Sequence, residues 1–419
     1  MKGFLLLSII KMLVVFTVTM VGVALLTLME RKVSAWMQNR RGPNRVGPAG
    51  LLQPAADGLK NILKEETFPA LANRWLFLLA PAMSFVPALL LFAVIPFAAP
   101  VPVDFDFTLG PLGRFVHHGL MPMVVADLPV GFLFVLAISS MGVYGIALAG
   151  WASNSKYALL GGLRASAQMV SYEVAMGLSL IPVLLLSGNV SLSAIVREQQ
   201  LGLWYVLPLF LSFFIFLISG FAETNRLPFD MPEAESELIA GYHTEYSAMK
   251  FSFFFIAEYS NVVTVCAMVT TLFFGGWSIP FVAVGPGHPG ALLTLEPGVL
   301  ATLLTGMAFF LKLMFWIFFV MWIRWTLPRF RYDQLMALGW KVLMPIALAY
   351  IMVICTAIYG IEHVAGITDP KLRSLALFGV NVVLGLLIFG LLDSGVFIKG
   401  SNRRQQTSKA LAKRATVTG

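Results

Sequence analysis

Carboxylate side chains are concentrated in residues 220–247, between two hydrophobic stretches that are each long enough to cross a bilayer. Six carboxylates oppose a single arginine, Arg226, so this acidic segment has a formal charge of −5 in a chain whose total is +8. The six are Glu223, Asp230, Glu233, Glu235, Glu237 and Glu245. Like charges that lie close together raise each other's pKa and titrate as coupled groups. The composition of the segment therefore suits holding and passing protons.

Two more carboxylates lie inside hydrophobic stretches. Along a helix, Glu173 would lie about 13 Å beyond Arg164, and Glu258 about 12 Å beyond Lys250. An ionisable side chain at membrane depth costs about 2.5–3.5 kcal/mol on insertion scales, so each is a functional candidate. We expect both to lie just below the acidic segment. The alternative for each is a structural role, bridging two helices by hydrogen bonds.

Lys312 falls near the middle of another hydrophobic stretch. This position is too deep for its ammonium group to reach water by extending along the helix, so we expect a partner for it. Asp127 and Asp393 lie within a turn of predicted span ends, and we expect them to cap helices or face the membrane interface.

The composition requires a membrane-embedded chain. Of 419 residues, 58% are hydrophobic and only 12% are charged, which is more apolar surface than one soluble core can bury. The predicted fold is an all-α polytopic membrane protein, with one transmembrane domain over 1–398 and a basic cytoplasmic tail over 399–419. Cys266 and Cys355 lie within spans and are not spaced as metal ligands, so no metal site is predicted. Nine spans are expected, near residues 4–28, 76–97, 125–150, 167–187, 204–222, 250–275, 301–325, 343–362 and 374–398.

The basic residues predict the orientation of these spans. Odd-numbered loops and the C-terminal tail hold 22 Lys and Arg residues, whereas the N-terminus and the even-numbered loops hold 5. By the positive-inside rule the N-terminus lies outside, and the acidic segment and the tail lie on the cytoplasmic side. The net charge of +8 follows from this topology, so no nucleic-acid binding is indicated.

Two of the cytoplasmic loops are more patterned than linkers. The first predicts an amphipathic helix over 51–64, too short to span a bilayer. Its apolar residues recur at helical spacing opposite polar ones: Leu52, Ala55, Leu59, Ile62 and Leu63. The other loop reads RWTLPRFRYDQLMALGWK and places Arg324, Arg329 and Arg331 within about two helical turns. Each pattern alone is typical of a membrane-surface anchor, but together they indicate a site.

Residues 220–247 read GFAETNRLPFDMPEAESELIAGYHTEYS. This stretch closely resembles the most distinctive stretch of the quinone-proximal membrane subunit of respiratory complex I, which is called H in bacteria. The similarity extends to MERKVSAWMQNRRGPNRVGPAGLLQPAADGLKNILKEE, GVYGIALAGWASNSKYALLGGLRASAQMVSYE, LFFGGW and RFRYDQLMALGWK. It covers nearly all of residues 20–345. The resemblance implies a proton-pumping NADH:quinone oxidoreductase in which this chain forms much of the quinone chamber.

The resemblance also implies roles for individual positions. In the family, the amphipathic helix flanks the opening through which the isoprenoid tail enters from the bilayer. The acidic path from the quinone chamber toward the membrane axis is matched by Glu173, Glu223, Asp230, Glu233, Glu235, Glu237 and Glu258. The predicted quinone site takes Glu30, Arg31, Ala55, Ala56, Asp57, Phe255, Arg324, Arg329 and Arg331.

The implied substrate is a quinone, either ubiquinone or menaquinone. No redox-cofactor ligands are evident in this sequence, so the resemblance places FMN and the iron–sulfur clusters in partner subunits. The implied partners are the iron–sulfur and quinone-site subunits of the peripheral arm, small membrane subunits and antiporter-like subunits. The implied location is a bacterial inner membrane.

Two positions depart from the family pattern. The family core has eight spans, so the resemblance assigns no role to the predicted ninth span at 374–398. Pro129 stands where Asn is commoner, and we expect it to alter the local helix geometry near Asp127.

Three other functions are considered. A homologous membrane subunit of a membrane-bound hydrogenase, or of a ferredoxin- or deazaflavin-linked oxidoreductase, shares the acidic segment but is expected to match less well in the two patterned loops. A stand-alone ion transporter predicts inverted repeats with broken helices, and no such pairing is evident in the sequence. A passive scaffold leaves Glu173 and Glu258 unexplained.

Overall fold

A computed structural model describes residues 2–108, 114–231, 239–280, 282–284, 293–367 and 369–393. Three carboxylates predicted in the acidic path, Glu233, Glu235 and Glu237, lie outside the described residues. The last residues of the predicted ninth span and the basic tail over 399–419 lie outside them too.

The described chain is mostly α-helical. Eight helical segments within it are long and apolar enough to cross a membrane, and Phe210–Glu223 is a shorter apolar helix. The predicted all-α polytopic fold is therefore confirmed. The helices are α1 (Lys2–Met37), α2 (Gln53–Leu63), α3 (Arg74–Leu90), α4 (Gly131–Ala152), α5 (Lys156–Ser187), α6 (Leu192–Leu201), α7 (Phe210–Glu223), α8 (Ala248–Phe273), α9 (Val299–Thr326), α10 (Tyr332–Leu338), α11 (Met344–Tyr359) and α12 (Pro370–Asp393).

Three two-stranded sheets lie between the helices in the described residues, and they were not predicted from the sequence. Antiparallel pairing joins β1 (Ala98–Pro102) to β4 (Leu120–Met123) and β2 (Phe105–Thr108) to β3 (Arg114–His117). A parallel pair joins β5 (Val282–Val284) to β6 (Leu293–Leu295).

Several helices extend well past the predicted spans. Helix α1 continues to Met37, so Glu30 and Arg31 lie on a helix and not in a loop. Helix α5 begins at Lys156 and carries Arg164. A hydropathy pattern ends where charges begin, whereas the backbone hydrogen bonds of a helix continue through charged residues, so a helix can extend beyond the span that hydropathy predicts. By contrast, the predicted span at 204–222 is α-helical only from Phe210.

Small residues let the central helices approach closely. A Cβ atom added to Gly150 of α4 would lie 2.6 Å from the carbonyl oxygen of Ala158 on α5. A Cβ atom added to Gly161 would lie 2.6 Å from the Cα of Gly241, which has a φ of +63°. Close backbone contact through small residues is the usual way that membrane helices pack. Here it holds the second half of the acidic segment against α5.

The predicted ninth span is a helix, α12, with specific polar contacts to the bundle. The Asn381 side chain donates a hydrogen bond to the carbonyl oxygen of Pro208 at 2.5 Å and accepts one from the Tyr350 hydroxyl at 2.6 Å. Leu377, one turn earlier, is fully buried. These contacts make α12 an integral part of the bundle.

Candidate functional site

Glu30 of α1 is the centre of a buried charge cluster. Only 6% of this residue is exposed. Its carboxylate is 3.2 Å from Nη1 of Arg226, accepts a 2.6 Å hydrogen bond from the Tyr259 hydroxyl and contacts Nη1 of Arg324. A buried charge is tolerated when it is paired and hydrogen-bonded. The cluster joins α1, the acidic segment, α8 and α9 at one point.

Arg226 connects this centre to a second carboxylate. Its Nε atom lies 2.5 Å from Oε1 of Glu258, while Nη1 contacts Glu30. The guanidinium carbon lies 4.1 Å from the ring centroid of Tyr259, within cation–π range. One planar cation thus contacts a carboxylate on α1 and another on α8.

Gln168 of α5 fixes the backbone that carries Arg226. Its buried side-chain amide donates to the carbonyl oxygens of Ala222 and Phe229, at 2.8 and 2.9 Å, and to Oδ1 of Asn225 at 3.0 Å. Because these acceptors flank Arg226 on both sides, the turn after α7 is held against α5.

A cavity of about 980 Å³, here called the chamber, adjoins the charge cluster. Asp230 and Arg329 form an ion pair in its wall, with Nη2 3.1 Å from Oδ2. His243 also lines it, and burial lowers the pKa of His243 to about 4, so the imidazole is neutral near pH 7. The lining comprises Glu30, Arg31, Ser34, Asn225, Arg226, Leu227, Asp230, Ala240, His243, Phe251, Phe255, Glu258, Tyr259, Arg324, Trp325 and Arg329.

A second, more apolar cavity of about 450 Å³ lies between α1, α2 and α8 and is here called the tail cavity. It shares Arg31, Phe251, Phe255 and Tyr259 with the chamber, so the two cavities adjoin. The remaining lining residues are Met20, Val23, Ala24, Thr27, Pro54, Asp57, Gly58, Asn61, Ser252 and Ile256. Arg31 and Asp57 form an ion pair of 2.6 Å between α1 and α2 at its edge.

Three carboxylates continue inward from the chamber. Glu258 and Glu223 both line a small cavity of about 30 Å³. This volume is enough for one or two water molecules, and the lining supplies polar partners. Glu173 of α5 lies within electrostatic range of Glu223. The order Glu258, Glu223, Glu173 therefore leads from the chamber into the helix bundle.

The structure brings most of the described predicted residues together. Ala55 and Ala56 lie on α2, but the α2 residues that line the tail cavity are Pro54, Asp57, Gly58 and Asn61. Arg331 is exposed at the start of α10, where its backbone N–H donates to Gln334. The predicted residues that line the chamber or the tail cavity are Glu30, Arg31, Asp57, Asp230, Phe255, Glu258, Arg324 and Arg329.

Three residues of the site were not predicted from the sequence: Arg226, Tyr259 and Gln168. Arg226 carried a signal, because it is the single basic residue among the carboxylates of the acidic segment. Tyr259 directly follows Glu258, and its hydroxyl had no recognisable partner in the sequence. Gln168 gave no signal, because its acceptors all lie in another segment of the chain and two of the three are backbone carbonyls.

Lys312 is paired with backbone carbonyl oxygens, whereas Arg226 and Arg324 are paired with carboxylates. Its ammonium group donates to the carbonyl oxygens of Phe274, Gly276 and Ser278, at 2.7, 2.9 and 2.6 Å. It also lies 4.2 Å from the ring centroid of Trp204. The expectation of a partner is confirmed, and the partner is the backbone that follows α8.

Fold and site together define a polytopic helical membrane protein with a charge-lined chamber. A family model described as NADH dehydrogenase matches residues 10–355. The chain is 51% identical to the second NADH-quinone oxidoreductase H subunit of Koribacter versatilis, over 84% of this chain and 96% of the relative. It is 48% identical to the NADH-quinone oxidoreductase H subunit of Frankia alni, over 93% of this chain and 80% of the relative.

The chain therefore belongs to the NADH dehydrogenase family, as an H-type membrane subunit of respiratory complex I, the NADH-quinone oxidoreductase. It is one component of a multi-subunit oxidoreductase whose substrate is a quinone.

Proposed function

We propose that the chamber receives the headgroup of the quinone and that the tail cavity receives its isoprenoid chain. The observation that carries this proposal is the adjacency of the two cavities through Arg31, Phe251, Phe255 and Tyr259. An amphipathic substrate requires such a pair, with charged groups at one end and apolar walls at the other. The tail cavity lies under α2, the helix that the resemblance places at the opening to the bilayer.

The charge cluster couples the quinone to proton movement. Reduction of a quinone to a quinol takes two electrons, which partner subunits supply, and two protons. At an effective dielectric of about 20, two charges about 4 Å apart interact by roughly 4 kcal/mol, equal to about three pKa units. A change of charge in the chamber is therefore large enough to move a proton on Glu30 or Glu258, which Arg226 contacts together.

The protonation change then passes inward along Glu258, Glu223 and Glu173. Water in the small cavity between Glu258 and Glu223 bridges the first step. Glu233, Glu235 and Glu237 belong to the same path by their place in the acidic segment. In this proposal the acidic segment lies on the cytoplasmic side of a bacterial inner membrane, the N-terminus lies outside, and the peripheral arm with FMN and iron–sulfur clusters docks over the chamber.

The tail cavity is tested by filling it from α2. A Cβ atom at Gly58 would meet no neighbouring atom within 4 Å, so α2 accommodates a larger side chain at this position in the cavity wall. In the assembled enzyme, Gly58→Phe is expected to raise the KM for a long-tailed quinone and to leave a short-tailed analogue little changed.

Two matched controls accompany this variant. Gly58→Ala adds one methyl group and is expected to keep both activities. Leu63→Phe adds an aromatic ring on the side of α2 turned away from the cavity, where the residue is 77% exposed, and is expected to keep both as well. Equal inhibition of long- and short-tailed quinones by Gly58→Phe would show that the tail does not occupy this cavity.

A further inference from the structure

We propose that Lys250 is a positioning residue that holds the segment after α2 against α8 and thereby sets the width of the tail cavity. This inference rests on the proposed function, because it concerns how the same cavity admits a quinone tail. Lys250 lies in the first turn of α8, and it lines neither the chamber nor the tail cavity.

Helix α2 is held weakly by its own side chains. None of its residues is buried. Its ion pair with α1 joins Arg31 and Asp57, and the two side chains are 51% and 35% exposed. An exposed ion pair of this kind contributes only about 0–1 kcal/mol. The position of α2 over the tail cavity therefore depends in part on what anchors the chain after Leu63.

Lys250 supplies that anchor. It is 4% exposed, and its Nζ atom lies 3.2 Å from the ring centroid of Phe68 and 3.3 Å from Oε2 of Glu66. The same ammonium lies 5.3 Å from the ring centroid of Phe77 on α3. A cation desolvated between aromatic rings and a carboxylate is held more strongly than one on the surface. Glu66 and Phe68 are thus tied to α8 and α3.

Hydrogen bonds and stacking reinforce the same junction. The backbone N–H of Thr67 donates to the Ser247 hydroxyl at 3.1 Å, and the two hydroxyl oxygens lie 2.8 Å apart. The Phe77 ring stacks on Tyr246 with centroids 4.0 Å apart. The junction is therefore fixed on both the α3 and the α8 side.

The geometry connects this junction to the cavity through α8. Phe251 and Phe255, which line the tail cavity, follow Lys250 on the same helix. The tail cavity is bounded by α2 on one side and these residues on the other. Releasing Lys250 lets α2 move relative to α8, which alters how well the cavity holds a tail. The headgroup site, built on Glu30 and Arg226, is left in place.

The test compares Lys250→Met with Lys250→Arg in the assembled complex. Lys250→Met is expected to raise the KM for a long-tailed quinone by about fivefold, a ratio that corresponds to about 1 kcal/mol of lost binding. The kcat and the kinetics with a short-tailed analogue are expected to stay within about twofold, a change of less than 0.5 kcal/mol. Lys250→Arg keeps the cation and is expected to restore the wild-type KM.

A matched control and a second variant keep the test decisive. Lys60→Met removes the same charge from an exposed position on α2 and is expected to change nothing. Phe68→Leu removes the aromatic face that contacts Lys250. Because Phe68 is 39% exposed, this variant tests the same contact if Lys250→Met complexes do not assemble. It is expected to reproduce the effect on long-tailed quinones.

Two results overturn the inference. One is an unchanged KM for long-tailed quinones in assembled Lys250→Met or Phe68→Leu complexes. The other is an equal effect on long- and short-tailed quinones. If Gly58→Phe still discriminates between tail lengths in either case, the tail cavity stands and only the positioning role of Lys250 is lost.

Discussion

Arg226 and Lys312 both hold positive charge within the helix bundle, and they do so with different partners. Arg226 is held between the carboxylates of Glu30 and Glu258, beside a cavity of about 980 Å³. Lys312 is held by three backbone carbonyl oxygens after α8. A carboxylate changes charge when it binds a proton, whereas a carbonyl dipole does not. The first arrangement is therefore suited to coupling, and the second to holding the chain in place.

The largest effect is expected from removing the shared cation. Arg226→Gln leaves Glu30 and Glu258 without it, and breaking a buried ion pair costs about 3–5 kcal/mol. We expect the variant to assemble poorly, and any assembled complex to lose most of its NADH-driven quinone reduction. Native gels measure the assembly, and activity per assembled complex measures the turnover. Normal assembly with wild-type turnover would show that the Glu30–Glu258 link is dispensable.

Lys312→Met is expected to be next in size and different in kind. It leaves three carbonyl oxygens without their donor, and each unsatisfied buried group costs about 1–3 kcal/mol. We expect a lower unfolding temperature and less assembled complex, with unchanged turnover and proton translocation per assembled complex. The contrast with Arg226 is lost if fully assembled Lys312→Met complexes reduce quinone normally but do not pump.

A smaller, pH-dependent effect is expected at His243. Its pKa is lowered to about 4 in the folded protein from a usual value of 6.5, so the unfolded chain binds more protons between these values. Its contribution to stability is therefore complete above about pH 6.5 and is lost progressively toward pH 4. His243→Gln is expected to lose less stability than the wild type between pH 7 and 5. Parallel thermal unfolding curves for both proteins over this pH range would contradict the expectation.

The smallest effect is expected from the exposed ion pair at the edge of the tail cavity. Arg31→Gln removes a contact to Asp57 that is worth about 0–1 kcal/mol, because both side chains are partly exposed. We expect near-normal assembly and at most a slight change in the KM for long-tailed quinones. If Arg31→Gln assembled as poorly as Arg226→Gln, the difference in burial between the two arginines would not explain their contributions to assembly.

The sequence predicted the architecture better than the pairing of charges. Long apolar runs mark membrane helices regardless of their neighbours, so the spans and the amphipathic helix α2 were predictable. The ends of the helices were harder to predict, because α1 and α5 continue through charged residues. The short sheets depend on segments that meet in space and carry no strong local pattern.

The charge cluster shows what the sequence alone lacked. Glu258 was predicted as a site residue from its depth in a hydrophobic stretch, and Glu30 and Arg324 from the family resemblance. Their shared contact with Arg226 or with each other was not predicted. These residues lie far apart in the chain, and neither periodicity nor local charge specifies which helices will meet. Gln168, whose amide holds the turn before and after Arg226, is recognisable only once its carbonyl acceptors are in place.

The central claim is that Glu258 links the chamber to proton movement, and Glu258→Gln tests it most directly. Quinone reduction and proton translocation are measured together in reconstituted complexes, with Glu296→Gln, an exposed carboxylate, as the control. We predict normal assembly, a decrease of at least about tenfold in both rates, equal to about 1.4 kcal/mol in the barrier, and no change in the control. Wild-type rates of both processes in assembled Glu258→Gln complexes would contradict the account.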